Sequence, residues 1–408
     1  MSKIDELIQQ LCPNGVEYRR LNEICNMRGR IGFRGYTRRD LVAPGQGAIS
    51  LSPSNISNGV VSYSNCTYIS WDKYDESPEI KVNIGDIIFT KTASVGKTAL
   101  IKSLPAKATI NPQLVLITAT NCNSAYLSYV LQGKAFQDEV LRMTGIGSVP
   151  NISQANLGSI EIPLPPLPIQ EEIVRILDAF TSHAAELQAE LQARREQYEY
   201  YRNKLLSFED DSSVEWKKLG EICEKAKAID WKSTNISFDY IDLSSVDIQK
   251  SSIGDCTAIT TSNAPSRAQQ IVREGDILFG KTRPTLMRFA VVPKRYNEQI
   301  CSTGFCVIRV NSEVCNRFVY HYLRSGKFLL YVSENQEGAG YPSITDKKIM
   351  KFTVPIPPLS EQRRIVAILD KFEALVNDLT EGLPAEIAAR QEQYEYYRDR
   401  LLSFPKAV

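Results

Sequence analysis

Apolar residues recur at alternating steps of three and four through a long stretch of this 408-residue chain. Ile173, Leu177, Phe180, Ala184, Leu187, Leu191, Tyr198, Tyr201 and Leu205 follow the pattern, with only Arg194 out of type. A repeat of 3.5 residues keeps one stripe of a helix facing a partner, so the seam predicts a coiled coil. The helix is expected from 169 to 206, with Pro168 in a first turn where proline is tolerated, and about 57 Å long at 1.5 Å per residue. A second seam runs Ile365, Leu369, Phe372, Val376, Leu379, Leu383, Ile387, Tyr394, Tyr397 and Leu401, with Ser360 as its expected N-cap. Its step from 383 to 387 is a stutter, and Gly382 and Pro384 lie there, so a break or kink is predicted. The two helices are expected to pair with each other, antiparallel.

Between these stretches the pattern changes. GDIIFT, LVLITAT, GDILFG and FCVIRV are short apolar runs rich in β-branched residues and bounded by turn residues, which predicts strands. AYLSYVLQGKAFQDEVL and RFVYHYLRSGKFLLYV read as amphipathic helices, and glycines near 145–147 and 338–340 mark matching loops.

The same order occurs twice. VEYRRLNEIC at 16–25 returns as VEWKKLGEIC at 214–223, and GDIIFTKT at 85–92 as GDILFGKT at 275–282. IPLPPLPIQEEIVRILDAF at 162–180 returns as VPIPPLSEQRRIVAILDKF at 354–372, and REQYEYYRNKLLSF at 195–208 as QEQYEYYRDRLLSF at 391–404. The chain is therefore a tandem duplication. The expected fold class is mixed α/β of the α+β kind: two globular domains separated by two long antiparallel coiled-coil helices, with pseudo-twofold character. The expected segments are a first domain at 1–160, a spacer helix at 161–208, a second domain at 209–352 and a C-terminal spacer helix at 353–408.

Net charge is +1, but it is unevenly spread. Residues 1–160 hold 16 basic and 12 acidic side chains, and 215–350 hold 19 and 15. Residues 161–214 hold 5 and 11, and 351–408 hold 8 and 9. Two mildly basic blocks thus alternate with two acidic or neutral ones, and local sign is what steers an anionic polymer. The opening MSKIDELIQQ has no apolar signal core and no run is long enough to span a bilayer, which points to the cytoplasm. Nine cysteines without a CxxC pair, and only two histidines, suit reduced thiols better than a zinc site.

Catalytic motifs are not met. TKTASVGKTAL lacks the glycine that a phosphate loop needs at position 91, and its repeat GKTRPTLM lacks the second glycine and lysine. Asn111–Pro112–Gln113–Leu114 lacks the second proline and the aromatic residue of the amino-methyltransferase motif. Asp86 and Asp276 each follow a glycine, which suits a turn before a strand, and His183 fits a charged helix surface. Neither a catalytic residue nor a metal ligand is assigned, and an enzyme by itself is not expected.

Basic and polar residues cluster where strands end. NMRGRIGFRGYTRR carries Arg28, Arg30, Arg34, Arg38 and Arg39 with Phe33 and Tyr36 interleaved. Arginine forks suit phosphates and guanine edges. Lys91, Thr92, Ser94 and Lys97 form a second cluster, and Lys281, Thr282, Arg283 and Arg288, with Arg267 upstream, stand at the corresponding place in the second half. One scaffold with divergent loop chemistry is what two readers of different sequences need.

These features resemble the specificity subunit of type I restriction-modification systems, over the full length of the chain. The resemblance rests on the paired proline-rich helix starts, the paired QYEYYR–LLSF helix ends and the divergent blocks between them. It implies two target recognition domains, each contacting half of a bipartite site on double-stranded DNA. It also implies two methyltransferase (modification) subunits docked on the helices and methylating adenine, and restriction and motor subunits that join for cleavage. S-adenosylmethionine, ATP and Mg are then expected on those partners, with no cofactor in this chain. Tyr200 and Tyr396 point off the seam and, with Arg202 and Arg398, are the expected docking residues. The doubled tetrapeptide AELQAELQ at 185–192 matches the family's spacer repeats. One tetrapeptide adds about 6 Å and a net turn of roughly 40°, near one base-pair step of the duplex at about 34–36° and 3.4 Å. The rival from another class is a protein–protein scaffold on an antiparallel coiled coil, marked by salt-insensitive partner binding and no DNA affinity. A self-contained methyltransferase would bind S-adenosylmethionine alone.

Overall fold

The computed structural model describes residues 3–31, 35–145, 147, 149–209, 211–248, 250–377 and 382–407. The chain divides into two compact units. The first combines Met1–Glu186 with Ile387–Val408, and the second is Leu187–Glu386.

The first unit is built on a four-stranded antiparallel sheet, in the order Cys25–Arg28, Leu114–Ala119, Ile87–Thr90, Thr98–Leu100. Successive side chains of a strand point to opposite faces. Ile87, Phe89, Val115 and Ile117 therefore enter one core, with the helices Ser124–Gln132 and Lys134–Met143. Ile88, Leu114 and Leu116 enter another, with Ile49, Leu51 and Ile110 of a second sheet. Burial on both faces explains why these strands read as unbroken apolar runs rather than alternating ones. In the second sheet Ala108–Ile110 lies parallel to Ala48–Leu51, which pairs with Thr67–Ile69. Glu17–Arg20 pairs with Glu161–Leu164, so entry to and exit from the domain lie side by side.

The second unit repeats this plan. Its sheet runs Cys223–Glu224, Phe305–Val310, Ile277–Gly280, Phe289–Val291. Ile277, Phe279, Cys306 and Ile308 face one core, and Leu278, Phe305 and Val307 the other. Glu215–Lys218 pairs with Thr353–Ile356, as its counterpart does. Asp86 and Asp276 close the turn before the central strand, accepting the backbone N–H of Asn83 and of Arg273, each at 2.8 Å. All nine cysteines are free thiols.

The first long helix is Leu167–Leu205. The second is broken into Leu359–Asn377 and Leu383–Leu401, with Gly382 accepting from the N–H groups of Ala385 and Glu386. That is the predicted break; Leu379 of the seam lies outside the described residues. Ser360 is not the cap expected of it. The helix starts at Leu359, and the Pro358 carbonyl accepts from Glu361 and Gln362, as Pro166 does from Ile169 and Gln170. The helices pair antiparallel within each unit. Residues 167–186 pack beside 387–401 in the first, where Phe180 stacks on Tyr397 at 5.5 Å and 25°. Residues 187–205 pack beside Leu359–Asn377 in the second, where Tyr201 stacks on Phe372 at 5.6 Å and 23°.

A buried glutamine fixes each helix start. Gln170 Nε2 donates to the Pro165 carbonyl at 2.7 Å, and its Oε1 accepts the Asn123 N–H at 2.9 Å. Gln362 makes the same bonds to Pro357, at 2.8 Å, and Cys315, at 2.9 Å. The N-terminal helix Lys3–Leu11 contributes Ile4 to the core that Tyr394 and Leu401 also line. Among the described residues no helix is long and apolar enough to cross a membrane.

Candidate nucleic-acid interface

In the first unit the strand Ile87–Thr90 leads into a turn that meets Pro150, Asn151 and Ile152, and Asn151 also bridges to Gly145. Ile152 N–H donates to the Lys91 carbonyl at 2.9 Å, Thr92 bridges to Asn151, and Ala93 N–H donates to the Pro150 carbonyl at 2.9 Å. Thr92 Oγ1 also donates to Asn151 Oδ1 at 2.9 Å. Ala93 holds a left-handed backbone, φ +67°. Gly96, at φ +99°, leaves room for Gln137, whose Oε1 would lie 2.3 Å from an added Cβ. Ser94 and Lys97 are exposed on this turn, and Lys91 and Thr92 are half-buried. Arg28 is exposed at the end of its strand, and Lys91 Nζ lies 3.6 Å from where a side chain at the next residue, Gly29, would begin. The sheet thus brings Arg28 and Lys91 to one end of its strands. Arg38 and Arg39 are exposed on a short turn capped by Thr37, whose N–H and hydroxyl hold the Asp40 carboxyl below its usual range.

Arg30 departs from expectation. It is only 5% exposed, donating through Nε to the Ile110 carbonyl at 3.1 Å and through Nη2 to Thr109 Oγ1 at 3.0 Å. Its guanidinium also lies over the Tyr36 ring, so it braces the second sheet from inside. Arg34 lies outside the described residues.

The second unit builds the same junction with other side chains. Ile344 N–H donates to the Lys281 carbonyl at 3.0 Å, Thr282 bridges to Ser343, and Arg283 N–H donates to the Pro342 carbonyl at 2.7 Å. Lys281 is not an unengaged cation, for its Nζ pairs with Asp346 at 2.8 Å. Arg288 is half-buried and donates to the Leu243 carbonyl, which makes it a strut of the turn. Arg267 and Arg283 are exposed. Tyr341, 74% exposed at the tip of the glycine loop, was not singled out from the sequence. Its only signal there was its place between the loop glycines and Pro342.

On the helix ends, Tyr200 is 60% and Tyr396 61% exposed, each edge-on to the next tyrosine at 5.4 Å and 76°. Arg202 and Arg398 lie over the rings of Tyr198 and Tyr394 and are half-buried. Arg398 Nε also donates to Asp399 at 3.0 Å. The arginines thus fold onto their own helices, and the tyrosines carry the exposed surface.

Metal-ligating residue types gather at His321, Asp370 and Glu373, with candidate atoms within 4.8 Å of one another. Ion pairs already engage them. His321 Nε2 meets Asp370 at 2.7 Å, Arg317 bonds both acids, and Arg324 bonds Glu373. Burial raises the Asp370 carboxyl, yet the bonds from His321 and Arg317 leave it below its ordinary range. In the first unit Tyr129 stands at the place of His321 and donates to Asp178, also at 2.7 Å. The common element is a helix-to-helix clamp, and His321 is one of two side chains that can form it. His183 is exposed, as a charged helix surface requires.

Similarity to known proteins follows the same twofold plan. The family model for the type I restriction modification DNA specificity domain matches residues 13–196 and again 212–389. The type I restriction enzyme EcoR124I/EcoR124II specificity subunit of Escherichia coli is 38% identical over 277 residues, which cover 62% of this chain and 65% of that protein. The match therefore spans a little under two thirds of that relative. The type I restriction-modification S subunit from M. genitalium shares the fold over 95% of this chain and 96% of its own, at 16% identity and TM-score 0.51. A chain solved for complex assembly and conformational transition of the type I R-M system shares it over 96% and 98%, at 18% identity and TM-score 0.59. Since the two family-model matches take in most of both repeats, the chain belongs to the family of type I restriction modification DNA specificity domains.

Proposed function

We propose that this chain is the DNA specificity subunit of a type I restriction-modification complex. Each unit reads one half of a bipartite site on double-stranded DNA, and the helices set the gap and dock two methyltransferase subunits. The observation that carries this is the loop junction built twice on one backbone plan. Strand end, left-handed residue and proline carbonyl recur, while the exposed residues differ: Ala93, Ser94 and Lys97 in one unit, Arg283 and Tyr341 in the other. Constant scaffolding with changed tips is the requirement for reading two sequences. The exposed cations Arg28, Arg38, Arg39, Lys97 and Arg267 supply phosphate or base contacts.

The repeated tyrosine pairs support docking of one partner type twice, because the same exposed surface occurs in both units. The partners supply adenine methylation with S-adenosylmethionine, and restriction and motor subunits supply the ATP- and Mg-dependent steps, in the cytoplasm. The division between units falls at Glu186 and Leu187, inside the doubled AELQ, where a change of helix length acts as a ruler.

The test is methylome sequencing of DNA from cells expressing this chain with its cognate methyltransferase. A split motif with methyladenine in both halves, lost without the chain, is the expected result. Specific binding should fall steeply with salt. Absence of a motif, with salt-insensitive protein partners, would instead make the chain a scaffold.

A further inference from the structure

The turn after Ile277–Gly280 holds two side-chain-bearing residues in the left-handed region, Arg283 at φ +48° and Met287 at φ +50°. Such residues persist only where their surroundings over-determine them. Here the surroundings are explicit. Arg283 N–H is tied to the Pro342 carbonyl, Pro284 opens a short 3-10 turn, and Arg288 ties the end of the turn to Leu243. The facing loop is closed as well, since Glu337 and Ser343 exchange two backbone hydrogen bonds of 2.8 Å. Gly338, at φ +100°, lets the Tyr341 carbonyl approach to 3.2 Å from where a Cβ would stand.

On this frame the Arg283 guanidinium lies over the Tyr341 ring, 4.8 Å from its centroid. Tyr341 is 74% exposed, Arg283 is exposed, and no acid pairs with Arg283 among the described residues. A guanidinium stacked on an aromatic face keeps its donor fork open and loses less freedom when it binds. The first unit has the same backbone junction with Ala93 and Val149 at these positions, so it offers neither cation nor ring.

We propose that Arg283, held by Tyr341, is the specificity-determining contact to a guanine in the half-site read by the second unit. The assignment rests on the specificity-subunit reading above. Arginine donates two parallel hydrogen bonds to guanine O6 and N7, which no other base edge in the major groove accepts. Tyr341 positions the fork. The first unit, lacking the pair, reads its half-site without this contact.

The experiment is methylome sequencing of the full chain with its methyltransferase, for wild type, Arg283→Ala, Arg283→Lys, Tyr341→Ala and Tyr341→Phe. For Arg283→Ala, one guanine position of a single half-site should relax, with discrimination there falling about 5- to 150-fold. The other half-site should be unchanged, which serves as an internal control for folding. Arg283→Lys should recover only part of the discrimination, because an ammonium can reach O6 and N7 but has no planar fork to lie on the Tyr341 ring, Tyr341→Ala should relax the same position, and Tyr341→Phe should keep wild-type specificity. Uniform loss of methylation without a change of motif would make Arg283 a phosphate contact and overturn the proposal, as would an unchanged motif. A wild-type chain that yields no split motif would instead remove the specificity-subunit reading, and this assignment with it.

Discussion

Arg309 and Asp276 form a buried ion pair at the start of the strand that ends in the second unit's candidate reading turn, with side chains 8% and 3% exposed. Arg309 Nε and Nη2 donate to the carboxylate at 2.9 and 2.6 Å, and Nη2 also reaches the Ile271 carbonyl at 3.0 Å. Arg309→Ala would leave the carboxylate uncompensated in a site with little water, at a cost of about 3–5 kcal/mol. The first unit shows a cheaper arrangement at the same place, where buried Asp86 accepts from Thr118 Oγ1 at 2.7 Å. Arg309→Thr should therefore lose less than Arg309→Ala. The double variant Asp276→Asn/Arg309→Met keeps an acceptor for the Arg273 N–H while removing both charges. It should also be more stable than Arg309→Ala, because breaking a buried pair costs more than replacing it. Trp216 and Trp231 lie in the second unit and Trp71 in the first, so urea unfolding in a Trp71→Phe background reports the second unit through tryptophan fluorescence. A loss below about 1 kcal/mol for Arg309→Ala, or a double variant less stable than that single one, would refute the reasoning.

Further perturbations address other parts of the molecule. Hydrogen bonds from Arg175 and Lys3 pull the Glu172 carboxyl down to about 2. Its stabilisation is thus present above the ordinary carboxylate range and lost as pH falls from about 4.5 toward 2, and Glu172→Gln should narrow the difference in melting temperature between pH 7 and pH 3. Gln362→Ala strands the Cys315 N–H and the Pro357 carbonyl, each worth about 1–3 kcal/mol when left buried and unpaired. The loss should appear in the second-unit tryptophan transition and leave that of Trp71 in place. Deleting one AELQ, residues 189–192, should shorten the gap of the methylated motif by about one base pair; an unchanged gap would end the ruler argument.

The seams show what local pattern carries. Phe180 and Tyr397, or Tyr201 and Phe372, could be assigned to a helix stripe from spacing alone, and the break at Gly382 follows from the backbone limits of glycine and proline. Strand existence was legible too, because Ile87–Thr90 and Ile277–Gly280 are buried on both faces and must be apolar throughout. The pairing partners were not. The parallel match of Ala108–Ile110 with Ala48–Leu51 joins residues about sixty positions apart, and no local signal encodes it.

Counting arginines likewise could not tell an exposed contact from a strut. Arg30, Arg288 and Arg309 look like Arg38 and Arg283 in sequence, yet the first three are held by carbonyls, a hydroxyl and a carboxylate inside their units. Sequence by itself determined the duplication, the two helices, their apolar seams and the places where loops diverge, because each is written in residue spacing. Only tertiary structure decided which cations stay exposed, that Tyr341 lies against Arg283, and that Gln170 and Gln362 fix the helix starts. Those outcomes depend on where distant backbone carbonyls and carboxylates come to rest, and a buried polar group must find such a partner when the chain folds.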